Sequence, residues 1–280
     1  MGDLTIRPHQ GAGAEILGID LAAMTDNELN AVKQAYADYG LVFFRDQNLT
    51  EQQHINLAQR FGSININRFF SANSQFPEIA MVTKEADQET NIGGGWHTDH
   101  SYDQEPAMGS ILVARDLPQS GGDTWFVSMY NALDDLSPGL RATLRSLQAV
   151  HSAKHVFGSS SEYEDLTEGR VTNKAAADEL VDPIHPVIIR HPLSGKEALY
   201  VNPGFTRHFL GWTIEESEPL MELLYQKAVA EARICKFQWQ PGSIAFWDNR
   251  ATWHFAQNDY QGQRREMHRI TLDGCDLNAA

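Results

Sequence analysis

The chain has 280 residues, 42% of them hydrophobic and 21% charged, and carries a formal net charge of −15. That composition suits a soluble globular protein with a full core, and its acidity argues against a general binder of nucleic acid or anionic membranes, while leaving room for a small anion held by local arginines. No apolar run approaches the roughly 20 residues of a membrane span, no basic stretch followed by an apolar core opens the chain, and Cys235 and Cys275 form no CxxC pair, so a cytoplasmic protein with reduced thiols is expected.

Residues 4–7 and 14–20 read as short strands around a glycine-rich turn. A helix is expected over 20–38, with Thr25 and Glu28 as a capping box and Leu29, Val32 and Tyr36 as its apolar stripe. Gly40 stops it. Leu41-Val42-Phe43-Phe44 reads as a buried strand, and Thr50 caps a second helix over 51–61. Residues 63–92 are polar and irregular, broken by the apolar run Ile79–Val82. Ser110–Ala114 and Trp125–Val127 read as strands, 133–146 as a helix restarted at Ser137-Pro138, and 159–182 as an exposed acidic insertion. Leu199–Val201 is a strand, Thr213 caps a helix running to about 231, and 236–240, 243–247 and 265–272 are the final strands. Many short strands, helices gathered at the start and in connections, and no βαβ alternation indicate a mainly β fold with flanking helices. No repeat or linker interrupts it, so a single domain over 1–280 is expected.

The chemistry concentrates in Trp96-His97-Thr98-Asp99-His100. If this stretch is extended, His97 and Asp99 share a face, and an imidazole with a carboxylate suits a divalent first-row metal. A polar surface turn is the plain alternative. A second histidine is then needed, and His254 follows the bend Asp248-Asn249-Arg250 in aromatic company; on spacing alone a buried core histidine is the favoured reading. In Arg264-Arg265-Glu266-Met267-His268-Arg269, a strand puts Arg265 and Arg269 on one face. That is either a clamp for carboxylates or a solvated edge strand.

The order Trp96-His97-Thr98-Asp99, Gly121-Gly122-Asp123-Thr124, Trp247-Asp248-Asn249-Arg250 with His254, and Gln263-Arg264-Arg265-x-Met267-His268-Arg269 resembles the taurine dioxygenase family of Fe(II)/2-oxoglutarate-dependent dioxygenases, from about Ile6 to Gly274. The resemblance implies a double-stranded β-helix (jelly-roll) core. It implies that His97, Asp99 and His254 ligate Fe(II), and that Thr124 and Arg265 hold the distal carboxylate of 2-oxoglutarate. Arg269 matches the arginine lying against the substrate anion, and no catalytic side chain beyond the metal centre is implied. O2 would complete the reaction, giving succinate, CO2 and a hydroxylated substrate; hydroxylation beside a heteroatom would break a C–S or C–O bond.

Asn67 and Phe70 stand where the taurine enzymes carry a His and a Tyr, and Gly93 where they carry an Asn. Phe157 and Phe205 match aromatic positions of the taurine pocket. Ser128-Met129-Tyr130 and the stretch 150–158 are more similar to aryloxyalkanoate dioxygenases. A small organic anion, sulfonate or carboxylate, is therefore expected, bound by Arg269, Asn67, Phe70, Phe157 and Phe205, with His100 and Arg207 as further pocket candidates. Taurine dioxygenase proper and aryloxyalkanoate dioxygenase are the alternatives within the class; a jelly-roll zinc hydrolase and a non-enzymatic binding protein are those outside it. His151, His155, His185 and His191 read as structural. Segments 65–92 and 159–182 are lid candidates, and family habit implies a homodimer or homotetramer.

Overall fold

The structure is a computed structural model and describes residues 4–171 and 173–277. Its elements run β1 (Thr5–Pro8), β2 (Ala14–Leu17), α1 (Asp26–Tyr39), β3 (Leu41–Phe44), α2 (Glu51–Gln59), β4 (Ile64–Asn65), β5 (Ala80–Lys84), β6 (Gly109–Asp116), β7 (Thr124–Ser128), α3 (Met129–Asp134), α4 (Pro138–Leu144) and β8 (Gln148–His151). They continue with α5 (Lys154–Phe157), α6 (Tyr163–Leu166), α7 (Lys174–Glu179), β9 (Ile184–Pro186), β10 (Ile188–Arg190), β11 (Glu197–Leu199), β12 (Thr206–Phe209), α8 (Ile214–Ala228), β13 (Cys235–Phe237), β14 (Ile244–Asp248), β15 (Thr252–Ala256) and β16 (Arg265–Leu272). The main sheet has the order β1-β2-β3-β14-β6-β16-β4, with β5 also paired to β16, and it faces a smaller sheet, β13-β7-β15. This is the expected jelly-roll core with flanking helices.

Side-chain alternation assigns each face of the main sheet. Val42, Phe44, Ile111, Val113, Ile244, Phe246, Ile270 and Leu272 pack outward under α1 and α2, against Val32, Tyr36, Ile55 and Leu57. Leu41, Phe43, Leu112, Ala245, Trp247 and Met267 pack inward against Phe126 and Phe237 of the smaller sheet. Each fully buried Leu, Ile or Phe contributes on the order of 2 kcal/mol, so both faces drive assembly, and the strand sequences read as unbroken apolar runs.

The threonine caps fall where the sequence puts them. Thr25, Thr50 and Thr213 each close a capping box with Glu28, Gln53 and Glu216. Helix α1 starts at its cap rather than at residue 20, because the cap satisfies the first-turn N–H groups only from Thr25 onward. Two further expectations change. β16 is a sheet interior between β6 and β5, not a solvated edge. Segment 159–182 is not wholly an exposed insertion: it forms α6 and α7, and Thr167, Val171 and Ala177 are buried. Its few apolar residues join an aromatic cluster with Phe69, Tyr102 and Phe205, contacts too distant in sequence to show as periodicity.

One ion pair ties the bend before His254. Asp248 and Arg250 are both buried and bonded through two charged contacts, Nε to Oδ1 at 2.9 Å and Nη2 to Oδ2 at 2.7 Å, with His191 Nε2 at 3.0 Å from the same carboxylate. Burial opposes ionisation of Asp248, but Arg250 and His191 outweigh it and hold the carboxyl well below its usual range. The stability this gives is complete above about pH 4, the unfolded aspartate value, and is lost as pH falls below it. Arg250→Ala leaves that buried carboxylate with His191 but without its guanidinium partner and is expected to cost about 3–5 kcal/mol at neutral pH, read as a lowered urea midpoint with an unchanged slope.

Candidate metal centre and active-site cavity

A cavity of about 690 Å³ opens between the sheets and the 154–171 segment. His97, Asp99 and His254 meet on its wall, with one ligand atom from each lying within 4.8 Å of the others. The convergence does not come from one extended strand, as the i, i+2 argument supposed. His97 forms an isolated antiparallel bridge to His254, with N–H to O distances of 3.2 and 2.9 Å in the two directions. The chain then turns at Asp99 and His100, the latter in the left-handed region at φ 60°. His254 itself sits on β15, opposite Phe126 of β7.

The two imidazoles lie 4.1 Å apart at their centroids. His97 Nδ1 pairs with the Gly95 carbonyl at 2.8 Å, which turns Nε2 toward Asp99 Oδ1, 3.6 Å away. His254 Nε2 lies 3.9 Å from Asp99 Oδ2, and its ring is packed by Trp247 at 4.7 Å. Burial and then the neighbouring His97 depress the His254 pKa well below the ordinary imidazole value, so this ring is neutral and offers a lone pair. Burial raises the cost of charging Asp99, but Arg269 and the two histidines outweigh it and keep the carboxyl well below its usual range. Two imidazoles and an ionised carboxylate, 8% exposed at Asp99 and 6% at His254, are the donor set of a non-haem iron site with open positions.

Arg265 and Arg269 both project inward beside Met267, as the strand alternation requires. Arg265 is 5% exposed, and its Nε and Nη2 are buried with no hydrogen-bond partner. Burial lowers its pKa from the ordinary value, yet a guanidinium remains charged. It lies over the Trp239 ring at 5.8 Å. Thr124 lines the same cavity, and its hydroxyl oxygen accepts from Trp239 Nε1 at 2.9 Å, which leaves the hydroxyl hydrogen free to donate. Gly122 makes room for this arginine: at φ +72°, a Cβ there would come within 3.2 Å of Arg265 Cδ.

Arg269 lies 4.4 Å over the Phe70 ring and reaches Asp99 with Nη1 at 3.3 Å, while its Nε is buried without a partner. The Asp99 contact was not foreseen. Asn67 spends its carbonyl on the backbone N–H groups of Phe69 and Phe70, at 2.8 and 3.1 Å, and donates from its amide to His100 Nε2 at 3.4 Å. Asn67, Phe70, Phe157 and Phe205 all line the cavity. His100 is buried behind Asn67 with Nδ1 on Asp103, 2.8 Å away, and neither it nor Arg207 is a described lining residue.

Sequence reasoning missed Val82, Ile92, Trp96, Tyr102, Val156, Tyr163, Leu166 and Asn258, which complete the walls. Trp96, beside the metal triplet, was the one with a visible hint. His155 also reaches the cavity, while bonding the Gly204 carbonyl at 2.8 Å. His151 and His185 are buried with rings 5.2 Å apart, and His191 serves Asp248. No described helix is long and apolar enough to cross a membrane.

Comparison with known proteins agrees with this geometry. The profile described as "Taurine catabolism dioxygenase TauD, TfdA family" matches residues 5–271. The chain is 31% identical to an alkylsulfatase of Acinetobacter baylyi, over 94% of this chain and 82% of the relative. It is 30% identical to the (S)-phenoxypropionate/alpha-ketoglutarate-dioxygenase of Sphingobium herbicidovorans, over 94% of this chain and 92% of that one. The fold matches a taurine dioxygenase from Burkholderia xenovorans with a TM-score of 0.80 and 31% identity, covering 98% of this chain and 90% of that one. The chain belongs to the TauD/TfdA family and is an Fe(II)- and 2-oxoglutarate-dependent dioxygenase.

Proposed function

We propose that the enzyme hydroxylates a C–H bond of a small organic anion, a sulfonate, sulfate ester or carboxylate, at an iron held by His97, Asp99 and His254. The observation that carries the reading is Arg265: a charged group buried with two free donors, in the same cavity as a His-Asp-His cluster. Burying an unpaired guanidinium is costly, and an incoming carboxylate removes that cost. A zinc hydrolase keeps the triad but has no use for this arginine, and a binding protein needs neither.

In this reading Arg265 and the Thr124 hydroxyl hold the distal carboxylate of 2-oxoglutarate. With Fe(II), 2-oxoglutarate and O2 in place, the centre couples decarboxylation of the cosubstrate to succinate with hydroxylation of the substrate. The chain's own residues position and shield. Gly95 fixes the His97 tautomer, Trp247 and Phe126 pack the His254 ring, and the apolar walls exclude water. Arg269, stacked on Phe70 with Nε free, takes the substrate anion, and the Asn67 amide lies on the same wall. If the hydroxylated carbon bears sulfur or oxygen, the product collapses and that bond breaks. Segments 65–92 and 159–182, the proposed lids, both contribute cavity walls and are joined by the Phe70–Val171 bridge. A homo-oligomer, dimer or tetramer, completes the reading on the strength of the family resemblance, and a cytoplasmic location on that of the two unpaired cysteines.

The deciding experiment is succinate release by the Fe(II)-loaded protein across a panel of alkyl sulfonates, alkyl sulfates and aryloxyalkanoates. Stimulation by one class supports the reading; a protein that holds iron and releases no succinate with any of them contradicts it. Arg265→Ala is expected to raise the KM for 2-oxoglutarate about 10- to 100-fold, the loss of charged hydrogen bonds worth roughly 1.5–3 kcal/mol. Arg269→Ala is expected to raise the KM for substrate far more than that for 2-oxoglutarate; equal shifts, or none, in steady-state kinetics remove Arg269 from the substrate site.

A further inference from the structure

A narrow gap with no room for a water lies next to the main cavity, lined by Val156, Phe157, Tyr163, Glu164, Val171 and Lys174. Val156, Phe157 and Tyr163 line both spaces, so these side chains form the partition between them. The partition is firmly held. Phe157 stacks on Phe69 at 4.4 Å and 24° and meets Tyr102 and Tyr163 edge-on, each at 5.9 Å. The Tyr163 hydroxyl accepts from the Gly93 N–H at 3.3 Å, and a Cβ at Gly93 would lie 3.4 Å from His97 Cε1. The wall is thus tied to the loop that carries the metal triplet. Beyond it, Lys174 and Glu164 pair at 3.3 Å.

The main cavity places its cationic groups on β16, at Arg265 and Arg269, and Phe70, Val82, Ile92, Phe157, Tyr163 and Leu166 give it apolar wall among polar residues such as Asn67, Asn91 and His155. We propose that Phe157 and Tyr163 set the length limit of the substrate's apolar tail, and that the substrate is an organic anion with a linear alkyl or aryl body extending from Arg269 to this partition. The proposal rests on the reading that Arg269 takes the anion. Each methylene that reaches apolar wall improves binding about fourfold, until the tail meets the partition. Past that length, a further methylene has to displace a packed ring.

Anaerobic calorimetric titration of the Fe(II)- and 2-oxoglutarate-loaded enzyme with n-alkyl sulfates and n-alkyl sulfonates, from ethyl to decyl, tests this. The wild-type affinity is expected to climb about fourfold per methylene and then break. Phe157→Ala and Tyr163→Ala join the two spaces and move the break to longer chains, Phe157→Leu moves it less, and Tyr163→Phe leaves it in place. Binding of 2-oxoglutarate is confirmed first for each variant; should Phe157→Ala not fold, Phe157→Leu and Tyr163→Ala carry the test. A break at the same length in all variants overturns the length limit and leaves the anion reading standing. No binding of any chain length by proteins that bind 2-oxoglutarate overturns both.

Discussion

Two backbone hydrogen bonds, exchanged between His97 and His254, hold the active site together. They dock a loop that has no strand of its own onto β15, and so bring side chains 157 residues apart in sequence (254 − 97) to a centroid separation of 4.1 Å. Everything else at the centre follows from that bridge. The turn at His100 swings the Asp99 carboxylate back between the two rings, β15 keeps its register by pairing with β7, and the buried Asp248–Arg250 pair sets the bend from which β15 departs. A single bridge is a weak element by itself. It persists because β15 lies in a closed sandwich whose two inner faces are filled by Trp247, Phe126 and Met267.

The site is assembled at an electrostatic cost. Asp99 is buried against Arg269, and the two charges balance. Arg265 has no such counter-charge within hydrogen-bonding reach of its Nε and Nη2, and Gly122 leaves its stem the room it occupies. The two arginines of β16 therefore differ in kind although they share a face: Arg269 is partly engaged by the Asp99 carboxylate, while Arg265 keeps Nε and Nη2 without a partner, as the proposed 2-oxoglutarate site requires. Preformed, desolvated donors of this sort bind a carboxylate with little reorganisation, which fits a cosubstrate that must dock reproducibly before O2 is used.

Much of this was legible in the sequence, for identifiable reasons. Capping boxes are local, and Thr25, Thr50 and Thr213 all cap where their spacing to Glu28, Gln53 and Glu216 says they should. Strand alternation is also local, and it put Arg265 and Arg269 on one inward face. The i, i+2 spacing of His97 and Asp99 points to the right pair for the wrong reason: the residues converge through a turn, not along a strand. The family motifs, not the geometry, had identified them. What could not be read depends on distant contacts. Tyr163 and Leu166 lie in a polar, acidic stretch whose buried apolar residues join the distant cluster of Phe69 and Tyr102, and the Arg269–Asp99 contact joins residues 170 apart. Arg170 shows the same effect: it bonds the carbonyls of Thr83, Thr90 and Thr167, at 2.8, 2.7 and 2.8 Å, and so fastens three walls at once, with nothing in its own neighbourhood to announce it.

The proposed function requires that one cavity hold both a metal on His97, Asp99 and His254 and a 2-oxoglutarate on Arg265 and Thr124. Its most direct test is an anaerobic absorption titration of the protein, loaded with one Fe(II) per chain, with 2-oxoglutarate. The expected result is a weak metal-to-ligand charge-transfer band that saturates at one 2-oxoglutarate per iron and is absent from a His254→Ala variant. A protein that retains its iron yet develops no band at saturating 2-oxoglutarate would contradict it.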